Sequence, residues 1–262
     1  MIGIIQGRLS RAPIKRLQHF PKKWKNEFNK AKKIGYDYIE FFSERRFNPK
    51  NPIWKKNQSQ EYTRLAKKNN LKIYSFVDDY IISNSVELKK TRKYLQNLIR
   101  KLSLIKIKKL VLPLYGKSKL TDKNLNKLII HLKYICDFSY KFKIQILLEG
   151  NFSPKTYKYL KNFIRKNLYV VIDTGNRINL NYDLYDDILK FNKNIKHIHI
   201  KDKNDKNENV VLGSGNVDFK KLKKTLKKIN YKGSFTIEST RGKNPDITAI
   251  KNLKYIKKKL FN

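Results

Sequence analysis

Four residues in the C-terminal half of this 262-residue chain have side chains suited to holding a divalent cation: Glu149, Asp173, His199 and Glu238. Each stands at or near the end of a short apolar run. In 143–149, Ile144, Ile146 and Leu148 form one apolar face, leaving Gln145, Leu147 and Glu149 on the other, because side chains alternate along a strand. In 168–173, Val170 and Ile172 share a face, so Tyr169, Val171 and Asp173 share the opposite one. In 195–200, Ile198 and Ile200 leave His197 and His199 together, and in 234–238, Phe235 and Ile237 leave Glu238 at the end of the other face. If these runs are neighbouring strands, the four groups converge. Carboxylates and an imidazole held close together repel unless protonated or neutralised, and one divalent cation coordinating all four resolves the conflict. Mixed oxygen and nitrogen donors without sulfur suit Mn²⁺, Mg²⁺, Co²⁺ or Zn²⁺. Taken singly, each acid reads more simply as a hydrogen-bonded strand end or the N-cap of a following helix; four in phase on successive runs favour the metal. His197, one layer below His199, fits either a hydrogen-bonded core histidine or a group that orients the ligand.

The elements that must position these residues repeat from end to end. Apolar runs rich in β-branched residues fall at 2–5, 36–41, 71–77, 109–114, 143–149, 168–173, 195–200 and 234–238, with helical patterns between them. In 217–230, Leu222, Leu226 and Ile229 recur at helical spacing while Lys220, Lys221, Lys223, Lys224, Lys227 and Lys228 fill the rest, an amphipathic outer helix with a solvated face. Strict strand–helix alternation demands a parallel sheet, and eight such units are most simply closed into a (β/α)8 barrel. An open doubly wound sheet is expected to carry a G-x-G-x-x-G after its first strand, and here only Gln6-Gly7-Arg8 follows. The absence of a Pro/Gly/Ser-rich linker makes 1–262 a single barrel domain by expectation. Consecutive strands are then neighbours, as the metal reading requires.

Composition narrows the partners. Lys and Arg number 61 against 21 Asp and Glu, for a formal charge of +40 and a pI near 10.1, a balance that superficially suggests nucleic acid. The lysines, however, are spread over nearly every segment and accompany abundant Asn, Ile, Tyr and Phe, a pattern of A/T-rich codon usage, so a nucleic-acid partner is not expected. Cys136 is the only cysteine, which excludes an intrachain disulfide and a thiolate cluster and suits a reducing compartment. The opening MIGIIQGRLSR lacks a basic region followed by a long apolar stretch, and no run approaches the length that spans a bilayer. A cytoplasmic protein without membrane attachment is the expectation; association into a homo-oligomer stays open.

The motifs GIIQGRL at 3–9, GYDYIEF at 35–41, LLEGN at 147–151, VVIDTGN at 170–176, HIHIKD at 197–202, LGSGNVDF at 212–219 and FTIES at 235–239 together resemble the xylose isomerase-like TIM barrel superfamily of sugar phosphate isomerases and epimerases. The resemblance spans nearly the whole chain, and its order and spacing are more specific than any one motif. It implies a divalent metal held by Glu149, Asp173, His199 and Glu238, with substrate gripped by the HIHIKD segment, chiefly Lys201 with Asp202. In the superfamily's ketose epimerases and hydroxypyruvate isomerase the two metal-bound glutamates shuttle the proton, and these match Glu149 and Glu238. The implied activity is isomerisation or epimerisation of a sugar or sugar phosphate. A hydrogen beside a carbonyl becomes removable only if the developing enediolate is stabilised, which a chelated metal does directly.

Some residues depart from that pattern or leave it open. Many relatives read D-T-x-H where this chain reads Asp173-Thr174-Gly175-Asn176; Asn176 can donate a hydrogen bond to substrate but cannot exchange a proton at neutral pH. Glu40, the last inward residue of the run at 36–41, fits a substrate contact or a structural hydrogen bond. Arg8 and Arg241, each just past a strand, could clamp a phosphate or carboxylate bidentately or pair with an acid at the rim. Gly213 and Gly215 fit either a phosphate-binding loop or a tight turn. A dehydratase acting on an inosose or dehydroshikimate shares the enediolate chemistry and is the main alternative. An apurinic-site endonuclease of the same superfamily needs several histidines for three zinc ions, and the chain has only His19, His131, His197 and His199. An inactive sugar-binding barrel is disfavoured by the intact ligand set.

Overall fold

The structure, a computed structural model, describes residues 1–13, 17–55, 58–178 and 182–261. Among them the chain runs β1 (Ile2–Ile5), α1 (Asn26–Ile34), β2 (Tyr38–Ser43), α2 (Ser59–Lys68), β3 (Ser75–Asp78), α3 (Tyr80–Ser83), α4 (Lys89–Leu104), β4 (Lys109–Leu114), α5 (Leu125–Lys141), β5 (Gln145–Gly150), α6 (Pro154–Phe163), β6 (Leu168–Asp173), α7 (Thr174–Ile178), α8 (Leu184–Phe191), β7 (Ile195–Ile200), α9 (Phe219–Lys228), β8 (Ser234–Ile237) and α10 (Pro245–Ile256). The strands follow one another in chain order round a closed parallel barrel, the (β/α)8 architecture that the alternation predicts. No helix among the described residues is long and apolar enough to cross a membrane.

Local chemistry explains where the helices begin. The side chains of Ser153, Asp183, Asp218 and Asn244 accept hydrogen bonds from the first-turn amides of α6, α8, α9 and α10, satisfying donors that have no partner within a helix. Pro154 and Pro245 occupy first-turn positions where a missing N–H costs nothing. In α9 the reading of a solvated lysine face holds: Leu222 and Leu226 are buried while Lys220, Lys221, Lys224, Lys227 and Lys228 are exposed.

Two strands depart from the ranges expected of them. β2 begins at Tyr38 rather than residue 36 and continues to Ser43, because Gly35 closes α1 in a left-handed conformation (φ 100°) and Asp37 turns aside to accept from the Ile2 amide at 2.7 Å. Phe41, Phe42 and Ser43 pair with Phe76, Val77 and Asp78, so the strand extends past its expected end at residue 41. β3 is the short run Ser75–Asp78. The apolar residues before it, Leu71 and Ile73, lead into the sheet without joining that ladder, a distinction that hydropathy alone does not make.

Two compact units are distinguishable: Met1–Ile39 with Asn69–Leu71 and Val171–Asn262, and Glu40–Lys68 with Lys72–Val170. In the first, β1 pairs with β8 and β7 with β8, over a core that includes Phe28, Ile198, Leu222 and Leu253. Gly3 is required there, since a Cβ would stand 2.3 Å from the ring of Tyr38, whose hydroxyl donates to the Phe235 carbonyl at 2.8 Å. In the second, β4 pairs with β5 along six residues and with β3 along three, over Phe41, Tyr62, Leu98, Leu132 and Ile146. Each such apolar side chain contributes roughly 1.5–3 kcal/mol by burial.

Candidate active site

The chemistry-bearing residues of the first unit stand at the C-terminal ends of β1, β6, β7 and β8, where the parallel strands of a barrel present their ends to one mouth. Asp173 ends β6 and is buried. Its Oδ1 accepts from the Asn176 amide at 2.8 Å, which starts α7, and its Oδ2 accepts from Lys201 Nζ at 2.6 Å. The residues between explain how the lysine gets there. Thr174 Oγ1 donates to the Lys201 carbonyl at 2.6 Å, and a Cβ on Gly175 would come within 3.0–3.2 Å of the Lys201 stem and carbonyl carbon. The Asp-Thr-Gly-Asn segment is thus a seat for Lys201.

Lys201 also reaches Glu238, with Nζ at 3.2 Å from Oε1. Glu238 follows β8, continues its ladder by donating its amide to the Ile200 carbonyl at 2.9 Å, and is buried. His199 Nδ1 lies 3.1 Å from its Oε2, Gln18 Nε2 donates to Oε1 at 2.9 Å, and Arg8 Nη2 stands 3.7 Å from the same oxygen. Burial alone raises a carboxyl pKa, but the charges of Lys201, His199 and Arg8 outweigh it and hold Glu238 well below the ordinary carboxylate range.

His197 is accounted for by protein contacts. Its Nδ1 lies 2.6 Å from Ser234 Oγ and its Nε2 3.1 Å from Thr236 Oγ1, with its ring edge-to-face against His199 at 5.1 Å. It is a hydrogen-bonded core histidine that also backs the ring of His199. Arg8 is buried, pairs with the Glu238 carboxylate at 3.7 Å, and donates Nε to the Ser239 carbonyl at 2.7 Å, with Nη1 bonded to the Leu17 carbonyl and, at 3.0 Å, to Gln18 Oε1. The turn that carries it is organised by Glu27 of α1, buried and accepting from the Gly7 amide (2.9 Å), the Leu9 amide (3.2 Å) and Ser10 Oγ (2.8 Å). Burial raises the Glu27 pKa against those three hydrogen bonds. Half-buried Arg241 donates Nε to the Gly7 carbonyl at 2.6 Å; burial, and then the charge of Arg8, lowers its pKa to about 10.

The resemblance gives Asp202 to substrate, whereas in the structure its carboxylate is engaged by its own loop. Fully buried, Asp202 accepts from the amides of Gly213 (2.9 Å) and Gly215 (3.0 Å) through Oδ2, and of Lys203 and Val217 (3.1 Å each) through Oδ1. The glycine amides that could have cradled a phosphate are filled from within, and Gly213 (φ 88°) makes the tight turn.

In the second unit, Glu149 lies one residue from the end of β5, buried, with Tyr115 Oη donating to its Oε1 at 3.3 Å. Glu40 is fully buried, but the extended β2 makes it the third residue of six rather than the last inward one. Asp78 ends β3 fully buried; Ser43 Oγ and Tyr94 Oη (3.0 Å) donate to its Oδ1. Burial outweighs these hydroxyls and raises its pKa to about 6.

The donors of the first unit fit a divalent ion. Asp173, Glu238 and His199 supply two carboxylates and an imidazole, and both carboxylates already meet one ammonium, so this is a place built for positive charge. A family described as xylose isomerase-like TIM barrel matches residues 28–259. The chain belongs to that family. The chain is similar over its whole length to a solved D-psicose 3-epimerase from Clostridium cellulolyticum H10, crystallised with D-tagatose, at 15% identity, a TM-score of 0.81 and 99% coverage of both chains. It is also similar to the IOLI protein solved with a zinc atom, at 15% identity and a TM-score of 0.77, covering 99% of this chain and 97% of that one. Such identities speak for the fold alone. A 115-residue stretch is 33% identical to the uncharacterized protein MJ1614 of Methanocaldococcus jannaschii, covering 42% of this chain and 45% of that protein.

Sequence reasoning missed Gln18, Glu27, Tyr115 and Asp78. Tyr115, the first residue after β4, carried a readable signal, a hydroxyl at the barrel end of a strand. Gln18 sits in the irregular segment before α1, where no periodicity marks a residue that reaches the site.

Proposed function

We propose that this member of the xylose isomerase-like family is a divalent-metal-dependent sugar isomerase or epimerase. In this reading Glu149, Asp173, His199 and Glu238 hold one ion, and Glu149 and Glu238 move the proton. The observation that carries it is that Asp173 and Glu238, at the ends of β6 and β8, share the Lys201 ammonium while His199 of β7 meets Glu238, with Glu149 buried near the end of β5, the preceding strand. The likeness in fold to sugar epimerases, including one crystallised with D-tagatose, supports the same class. Mn²⁺, Mg²⁺, Co²⁺ and Zn²⁺ all suit the donors. When bound, the ion would supply electrophilic pull on a chelated carbonyl and hydroxyl, making the hydrogen beside them acidic enough to remove.

The rest falls to the chain's own residues. One glutamate takes the hydrogen from carbon; the other returns it, to the opposite face for epimerisation or to the neighbouring carbon for aldose–ketose exchange. Lys201, held at Asp173 and Glu238, keeps Glu238 ionised and offers a donor to a substrate oxygen. Asn176, half-buried and two residues past Thr174, offers an amide where many relatives carry histidine, so it can hold a substrate oxygen without taking part in proton transfer. Arg241 and Glu40 remain candidates for substrate contact, and the substrate is a small sugar.

The test is incubation of metal-loaded protein with free and phosphorylated ketoses in D₂O. Deuterium entering at the carbon beside the carbonyl, abolished by a chelator, is the expected result. No incorporation with any ketose would overturn the reading, and loss of water in place of exchange would point to the dehydratase.

A further inference from the structure

We propose that Gln18 is a positioning residue for Glu238, coupling the segment before α1 to the carboxylate that handles the proton. The inference rests on the isomerase reading for its kinetic consequence, but its geometry stands apart from that reading. Arg8 approaches Glu238 only to 3.7 Å, beyond hydrogen-bond range. Gln18 spans the gap: its Oε1 accepts from Arg8 Nη1 at 3.0 Å and its Nε2 donates to Glu238 Oε1 at 2.9 Å. A guanidinium can only donate and an ionised carboxylate can only accept, so the two partners fix which end of the amide faces which. Neither methionine nor an ionised glutamate can make both bonds. Arg8 Nη1 also bonds the neighbouring Leu17 carbonyl, and the carbonyl of His19 lies where a Cβ on Gly7 would be, 2.3 Å away. Residues 17–19 are therefore seated on the turn after β1 and, through Gln18, on Glu238.

Glu238 is thereby held at both oxygens, Oε2 beside His199 and Oε1 by Lys201 and Gln18. Lys201 is shared with Asp173, which leaves Gln18 as a contact that fixes the rotation of the carboxylate toward the segment's side. Proton transfer from carbon is sensitive to small errors in the reach and angle of the base.

The test compares Gln18→Met, which keeps the bulk and loses both bonds, with Gln18→Glu, which sets a second carboxylate against Glu238. Gln18→Met is expected to lower kcat about tenfold and Gln18→Glu about a hundredfold, with KM and the affinity for Mn²⁺, measured by titration calorimetry, held within about twofold. A rise in KM at unchanged kcat, a loss of Mn²⁺ affinity that accounts for the lost rate, or no change at all overturns the proposal. Hydrogen exchange supplies a readout independent of activity: the amides of Leu17, Gln18 and His19 should exchange several-fold faster in Gln18→Met than in the wild type. Unaltered exchange overturns the bridge even if the wild type proves to act on no ketose, an outcome that by itself defeats only the isomerase reading.

Discussion

Two buried strand-end acids, Glu238 of the first unit and Asp78 of the second, have unlike neighbours. Glu238, in the first unit, is met by the ammonium of Lys201, the imidazole of His199, the amide of Gln18 and, further off, the guanidinium of Arg8. Asp78, a strand-end acid of the second, accepts from the hydroxyls of Ser43 and Tyr94, and Glu149 of the same unit has the phenol of Tyr115 among its contacts. Cationic neighbours lock a carboxylate in its ionised form, whereas hydroxyls in a dry setting do not prevent protonation. The consequence is visible in Glu238 and Asp78, both deeply buried, whose pKa values move in opposite directions. Burial therefore does not decide what an acid can do; the charge of its neighbours does.

Removing either of the glutamates proposed to move the proton should produce the largest effect. Glu149→Gln and Glu238→Gln keep size and remove proton transfer, so each is expected to lower kcat by about 10³–10⁴-fold while leaving the thermal unfolding curve nearly in place. Near-full α-hydrogen exchange in either variant would break the pairing of the two residues as partners in one reaction.

Lys201 tests the cationic side of the comparison. Lys201→Met leaves Asp173 and Glu238 buried without their shared ammonium, and breaking a buried ion pair in this way costs about 3–5 kcal/mol. The metal-free variant should therefore melt well below the wild type. Added Mn²⁺ should raise its melting temperature by more than it raises that of the wild type, since a divalent ion can replace the lost charge. Equal shifts in both proteins would mean that these carboxylates are not the ion's ligands.

Asp78 tests the hydroxyl side. Its folded pKa, about 6, lies above its ordinary value of 3.8, so the favourable protonated contribution is fully present below pH 3.8 and is lost as pH rises through 6. At pH 8 the ionised form costs at most about 3 kcal/mol relative to a group without a shift. Asp78→Asn can still accept from Ser43 and Tyr94 but carries no charge to bury. Its stability relative to wild type is expected to rise between pH 4 and pH 8, read from urea midpoints at each pH. A constant difference across that range would show that the hydroxyls suffice to hold Asp78 as an anion.

Much of this architecture was legible before any coordinate. Strand phase selected Glu149, Asp173, His199 and Glu238, because a period of two assigns every residue of a strand to one face, and Ile198 and Ile200 leave no choice for His199. What failed was whatever depends on the path of irregular segments. Asp202 looked available, and only the return of Gly213, Gly215 and Val217 across it shows that its lone pairs are taken. For Arg8 the sequence leaves an anion clamp and a rim ion pair equally open, and only the turn held by Glu27 shows that it is carried inward beside Glu238. Gln18 had no periodic neighbours at all. Side chains on strands inherit their direction from the backbone repeat; those on turns take it from contacts that a linear sequence does not display.

Tyr115→Phe removes one hydroxyl from Glu149 and changes no charge, and the hydrogen bond it breaks, at 3.3 Å, is a long one. A single neutral hydrogen bond contributes about 0.5–1.5 kcal/mol, so kcat should fall by no more than about tenfold, with the melting temperature scarcely moved. If Tyr115 merely steadies Glu149, the loss should be the same at every pH. If instead the phenol passes the proton onward, the loss should match that of Glu149→Gln and deepen as pH rises toward the phenol's own range. A loss of that size would make Tyr115 a partner in the proton transfer and not a support for Glu149.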